Sequence, residues 1–132
     1  MTLVKRKLEQ VIQNHMFHGK AIILLGARQV GKSILFEQIL AELPDDITEN
    51  QILRINCDDP EQRRFLENAN LANLPQQLAG KRIVMVDEAQ RIQGIGIKLK
   101  LITDHFKDVQ LLVIGSSSFM LQGKLNEPLT GR

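Results

Sequence analysis

The chain has 132 residues, 43% of them hydrophobic and 24% charged, the composition of one globular domain or a large part of one. A net charge of +2 neither requires nor excludes nucleic acid, and 4% aromatics without Trp or Tyr argue against a surface that reads single strands by base stacking. Cys57 has no disulfide partner, no apolar run reaches membrane-spanning length, and the N-terminus is charged too early for a secretory signal, so the expectation is a cytoplasmic protein with no membrane partner.

Leu3 to Met16 brings Val4, Leu8, Val11, Ile12 and Met16 near one face at helical spacing, with Lys5, Arg6, Lys7, Glu9 and Gln10 mostly on the rest. The pattern predicts an amphipathic helix. It is assigned, as residues 1–18, to an N-terminal element packed on the core, and Gly19 takes the usual post-helix position. His15 and His18 lie three apart with no third ligand nearby, and are read as surface histidines.

Ala21 to Leu25 has the length and composition of a buried strand, and the run Gly26-Ala27-Arg28-Gln29-Val30-Gly31-Lys32-Ser33 follows it. This matches the phosphate-binding pattern G-x-x-x-x-G-K-[ST] between a strand and a helix. Gly26 and Gly31 allow backbone angles closed to other residues, so successive N–H groups can curl round a phosphate. The partly positive start of the helix faces the same phosphate. Lys32 adds a mobile charge for the β- and γ-phosphates, and Ser33 a hydroxyl ligand for Mg²⁺. Gly26 to Ile34 are therefore the candidate nucleotide-binding residues. The side chains of Arg28 and Gln29 suit contact with phosphate or a partner protein and equally suit a solvated loop tip.

The next helix runs from Lys32 to about Glu42 on a stripe of Leu35, Ile39 and Leu43, with Phe36 and Leu40 beside it, and Pro44 stops it. Ile52 to Asn56 reads as a strand. Arg54 at its centre suits a sheet edge, where a charge reaches water. Asp59 and Pro60 form the cap and first position of a helix. Leu71, Leu74 and Leu78 suggest a further short helix ended by Gly80. Ile83 to Val86 is a continuous apolar strand, buried on both faces, that delivers Asp87-Glu88 at its carboxyl end. Ile95, Leu99, Ile102 and Phe106 recur as a helix stripe. Leu111 to Ile114 is the fourth strand, followed by Gly115-Ser116-Ser117-Ser118, and Phe119 to Leu125 reads as a short helical piece.

Strands alternating with helices predict a three-layer α/β fold, a parallel sheet with helices on both faces and its ligand beyond the carboxyl ends of the strands. All three polar signals fall at such ends. Asp87 is positioned to hold Mg²⁺ beside Ser33, and Glu88 to orient and polarise an attacking water. Ser116 or Ser117 suits contact with the γ-phosphate or that water, although the serine run also fits a plain turn. Arg132 is a candidate transition-state arginine.

The runs G-A-R-Q-V-G-K-S, V-M-V-D-E-A-Q, I-G-S-S-S-F-M-L and L-T-G-R, spaced as they are, resemble a family of bacterial and archaeal AAA-like ATPases. In that family a P-loop domain precedes a C-terminal domain of poorly defined function. The resemblance covers the chain from about Leu8 to Arg132. It implies the additional-strand class of P-loop fold with strand order 1-4-3-2, the Ile52 strand lying at an edge. It also implies that residues 19–132 are a P-loop ATPase domain incomplete at its C-terminal end. The fifth strand and the C-terminal domain are then expected beyond Arg132, with the Ala21–Leu25 strand left as an open edge. Family members often carry Thr where this chain has Ile114.

The expected function is hydrolysis of ATP with Mg²⁺, catalysed through Lys32, Glu88, Ser116 and Ser117, to drive or time a change in a partner. The expected partners are the nucleotide, the missing C-terminal domain and an unidentified protein. A nucleotide-dependent switch or scaffold with negligible hydrolysis is the alternative, although a pure binder does not need Glu88. A DNA-associated motor or loader would use the same loop chemistry, and nothing in the sequence indicates DNA. A small-molecule kinase would want an Arg-rich lid, which is not found.

Overall fold

The computed structural model describes residues 3–25, 30–43, 46–116 and 128–130. Five strands are described: β1 (Ile22–Leu25), β2 (Ile52–Asn56), β3 (Ile83–Asp87), β4 (Gln110–Gly115) and β5 (Pro128–Thr130). They form one parallel sheet in the order β2-β3-β4-β1-β5. The helices are α1 (Leu3–His15), α2 (Val30–Ala41), α3 (Pro60–Glu67), α4 (Leu74–Gln77) and α5 (Ile95–His105).

The pleat sorts the strand residues into two cores. Ile22, Leu24, Ile83, Met85, Leu112 and Ile114 face α1 and α2, where Ile12, Met16, Phe36 and Ile39 are buried. Ile23, Leu25, Val84, Val86, Leu111 and Val113 face the other layer, where Leu66, Leu74, Leu99 and Ile102 are buried. A sheet covered on both sides explains why β1, β3 and β4 read as unbroken apolar runs. The strand order 1-4-3-2 is the expected one.

The expectation that the fifth strand is missing is corrected. Pro128–Thr130 pairs in parallel with β1, Ile23 against Pro128 through Leu25 against Thr130, so β1 is not an open edge. Three residues are too few to show a period-2 pattern, and a leading proline reads as a turn. Proline is nonetheless tolerated at the first position of a strand, where a missing N–H costs least.

β2 lies at the opposite edge, as Arg54 suggested. The guanidinium is not simply solvated. Arg54 pairs with Glu37 of α2 through Nε–Oε2 at 2.7 Å and Nη2–Oε1 at 2.9 Å, and also with Glu49. The Glu37 hydrogen bond holds the Arg54 pKa above its ordinary value against the opposing effect of partial burial, with Glu49 adding to it. A bidentate pair of this kind joins the sheet edge to the helix that follows β1.

Three local details differ from expectation. Helix α1 ends at His15, and the first left-handed residue after it is Phe17, at φ 60°, ahead of Gly19 at φ 85°. Buried Gln110 holds this turn: its Oε1 accepts the Phe17 N–H, and its Nε2 donates to the Lys20 carbonyl at 2.9 Å. On this stripe Ile12 is buried, as is Met16 just past the helix end, whereas Val11 is 39% exposed, so the apolar face is narrower than the spacing suggested. Leu71 is 49% exposed and precedes α4, because the Asn70 side chain accepts the Ala72 and Asn73 N–H groups, each at 2.9 Å, and turns the chain first. The cap on α3 is as expected, with Asp59 accepting the Glu61 N–H and Pro60 in the first turn. The Phe119–Leu125 helical piece lies outside the described residues.

Candidate nucleotide site

Strand β1 ends at Leu25 and α2 begins at Val30. Between them, Gly26, Ala27, Arg28 and Gln29 lie outside the described residues. The backbone of Val30, Gly31, Lys32 and Ser33 forms the first turn of α2. N–H groups in the first turn of a helix have no intrahelical acceptor, and the helix dipole adds about half a positive charge there. Helices usually carry acidic residues in the first turn, but α2 has none. The turn therefore fits an anionic ligand. Ile34 has a side chain 47% exposed, so its contribution to such a site is through its backbone.

Register brings the other signals alongside. Leu25 is level with Gly115 and Val86 with Val113, so the ends of β1, β3 and β4 open on one rim of the sheet. Asp87 continues the parity of Ile83 and Met85, which places it on the α2 side of the sheet. It is partly buried, and one carboxylate oxygen is shielded from solvent. Its carbonyl accepts the Cys57 N–H at 2.9 Å, which extends the β2–β3 ladder to the rim.

Glu88 has φ 56° and ψ 45°, a left-handed conformation uncommon for a residue with a long side chain. Such backbone strain is of order 1–3 kcal/mol and persists only where the surroundings hold it. Here the next residues do so. Ala89 and Ile92 are buried in the core on the α5 side, and the Arg91 N–H returns to the Glu88 carbonyl at 3.0 Å. The short 3-10 turn Ala89–Arg91 thus leaves Glu88 and Gln90 at the rim. Arg91 Nε pairs with Asp58 Oδ1 at 2.8 Å, tying the turn to the end of β2.

Gln90 closes the V-M-V-D-E-A-Q run. Its Nε2 donates to Glu88 Oε1 at 2.7 Å, and its Oε1 accepts the Ser116 N–H at 3.1 Å. Asp87, Glu88 and Ser116 are therefore brought to one rim with the start of α2. Ser117 and Arg132 lie outside the described residues. Among the described residues no cluster of three or more His, Cys, Asp or Glu could hold a metal.

Cys57, fully buried behind this rim, has its thiol pushed up to about 12 by burial, and then by the Asp87 carboxylate. A raised folded-state value means that the folded protein keeps the proton longer, so this group weakens stability only as pH rises from the ordinary 9.0 towards about 12. At pH 8 the thiol is neutral and inert. Maleimide labelling of the native chain is expected to be slower by orders of magnitude than in urea. Equal rates would show that Cys57 is not enclosed.

Among known proteins, a family described as an AAA domain matches residues 18–132. No curated protein matches the chain. Among solved structures, the crystal structure of a DNA replication initiation factor is similar over 96% of this chain, with a TM-score of 0.63 and 10% identity. The chain spans only 44% of that protein, and at this identity the likeness shows the fold alone. No helix among the described residues is long and apolar enough to cross a membrane.

Proposed function

The chain belongs to the AAA domain family, a class of nucleotide-binding P-loop ATPase domains, and on that premise we propose that it binds ATP with Mg²⁺ at Gly26–Ile34 and hydrolyses it at the rim beside Glu88. The observation that carries the reading is that three strand ends, those of β1, β3 and β4, open on the rim where α2 begins with no acidic residue in its first turn.

The roles follow from the chemistry of each group. First-turn amides of α2 and the loop before it hold phosphate oxygens, and Lys32 neutralises charge on the β- and γ-phosphates. Asp87 and the Ser33 hydroxyl are the groups that would hold Mg²⁺. When bound, that ion neutralises the charge that develops on the phosphate oxygens. Glu88 accepts a proton from the attacking water and orients it along the line to the γ-phosphate. Ser116, level with the end of β1, and Ser117 beyond it would contact that water or the γ-phosphate. The energy released would drive or time a change in a protein partner. The lone buried cysteine and the ATP requirement favour a cytoplasmic setting.

Lys32→Ala tests the site. The variant loses the Lys32 ammonium while the backbone amides remain. A charge-assisted contact is worth about 1.5–3 kcal/mol, so ATP affinity should fall roughly ten- to hundredfold without loss of fold. Unchanged affinity by titration calorimetry in a folded variant would reject the site. Tight binding by the wild type without phosphate release would favour the switch over the enzyme.

A further inference from the structure

We propose that Gln90 is a positioning residue for Glu88, one amide that ties the water-orienting carboxylate to the backbone of the β4 loop. This rests on the role given to Glu88 above. Gln90 Nε2 donates to Glu88 Oε1 at 2.7 Å, and the Ser116 N–H donates to Gln90 Oε1 at 3.1 Å. The orientation of the amide is dictated by its partners. An ionised carboxylate only accepts and a backbone N–H only donates, so the amide nitrogen must face Glu88 and the oxygen Ser116.

The link joins the ends of two adjacent strands, between residues 26 positions apart in the sequence. It is also firmly based. Ala89 is fully buried next to it, the Glu88 backbone is set in the left-handed region, and Arg91 is paired with Asp58 on the other side. The backbone that carries Gln90 is therefore fixed, and its amide is held at both ends by these two hydrogen bonds. It holds one Glu88 oxygen and leaves the other to accept a proton from water. Any displacement of Ser116 by a γ-phosphate is passed to the same carboxylate. Without the amide, Glu88 would sample several rotamers, and a misplacement of about 1 Å can cost on the order of 10²-fold in rate.

Two substitutions in the full chain separate the two bonds. Gln90→Glu keeps an acceptor for the Ser116 N–H but cannot donate to Glu88. Gln90→Leu loses both. With Mg²⁺ and ATP, phosphate release should fall on the order of 10²-fold in each, with ATP affinity unchanged. Amide exchange at Ser116 should quicken in Gln90→Leu and stay slow in Gln90→Glu. In a Glu88→Gln background, Gln90→Leu should cause no further loss, because its effect runs through Glu88. Wild-type turnover in Gln90→Glu, or an equal added loss in the Glu88→Gln background, would overturn the inference and leave Gln90 as a structural brace. Unchanged Ser116 exchange in Gln90→Leu would remove the link to β4 without any appeal to turnover. Wild-type turnover in Glu88→Gln alone would instead refute the role of Glu88, and this inference with it.

Discussion

Glu88→Gln is expected to keep ATP bound and to lower phosphate release by about 10²–10⁴-fold, the usual contribution of a general base. The substitution is nearly isosteric. Its amide oxygen still accepts from Gln90 Nε2, so the hydrogen bond seen at 2.7 Å has a counterpart in the variant. The left-handed backbone at residue 88 is held by the buried Ala89 and Ile92 on its C-terminal side, which the change leaves alone. What is lost is basicity, because a neutral amide takes no proton from water. Binding draws on different groups, the α2 first turn and Lys32, and should remain. Phosphate release and ATP affinity measured side by side separate the two. Turnover within a few-fold of wild type would show that another group activates the water.

Much of this site is legible in the sequence because its signals are chemical and local. A glycine-framed loop ending in Lys32-Ser33 and an apolar run ending in Asp87-Glu88 each need only a strand to aim them, and both strands lie where their composition puts them. The alternation of apolar strands and helix stripes likewise leads to a parallel sheet with helices on both faces, while the strand order comes from the family resemblance. What escapes the sequence depends on partners far along the chain. Nothing at Phe17 announces a left-handed turn, since the residue that fixes it, Gln110, is 93 positions away. Gln90 shows its use only when β4 brings the Ser116 amide alongside. β5 is set by pairing with β1, and three residues led by proline have no periodicity of their own to betray it. Within the run V-M-V-D-E-A-Q, the spacing from Glu88 to Gln90 is the one signal that points to Gln90, because a residue two positions after a carboxylate on a tight turn can reach back to it.

Phe36→Ala is expected to carry the largest cost in stability. Phe36 is fully buried on α2 and belongs to the core cluster that includes Ile12, Ile39 and Leu24. Truncating a buried phenylalanine costs about 3–5 kcal/mol, the lost transfer energy and the cavity together. Domains of this size have only about 5–15 kcal/mol in total, so the melting temperature should drop by roughly 10–20 °C. Ile34→Ala, two positions earlier on the same helix but 47% exposed, should change stability by no more than about 0.5 kcal/mol. The proposed nucleotide site lies at the start of the same helix, which couples the two properties. A ligand at a hundred times its dissociation constant stabilises by about 2.7 kcal/mol, more than half of a 3–5 kcal/mol loss. Saturating Mg²⁺ and ATP should therefore restore a large part of the lost melting temperature in Phe36→Ala. The restoration should shrink when Lys32→Ala is added at the same nucleotide concentration. Thermal melts of the four proteins with and without nucleotide decide the matter. A Phe36→Ala melt equal to wild type would mean that α2 is not seated on the sheet as described, and a normal deficit that nucleotide does not relieve would mean that the ligand does not bind at the start of α2.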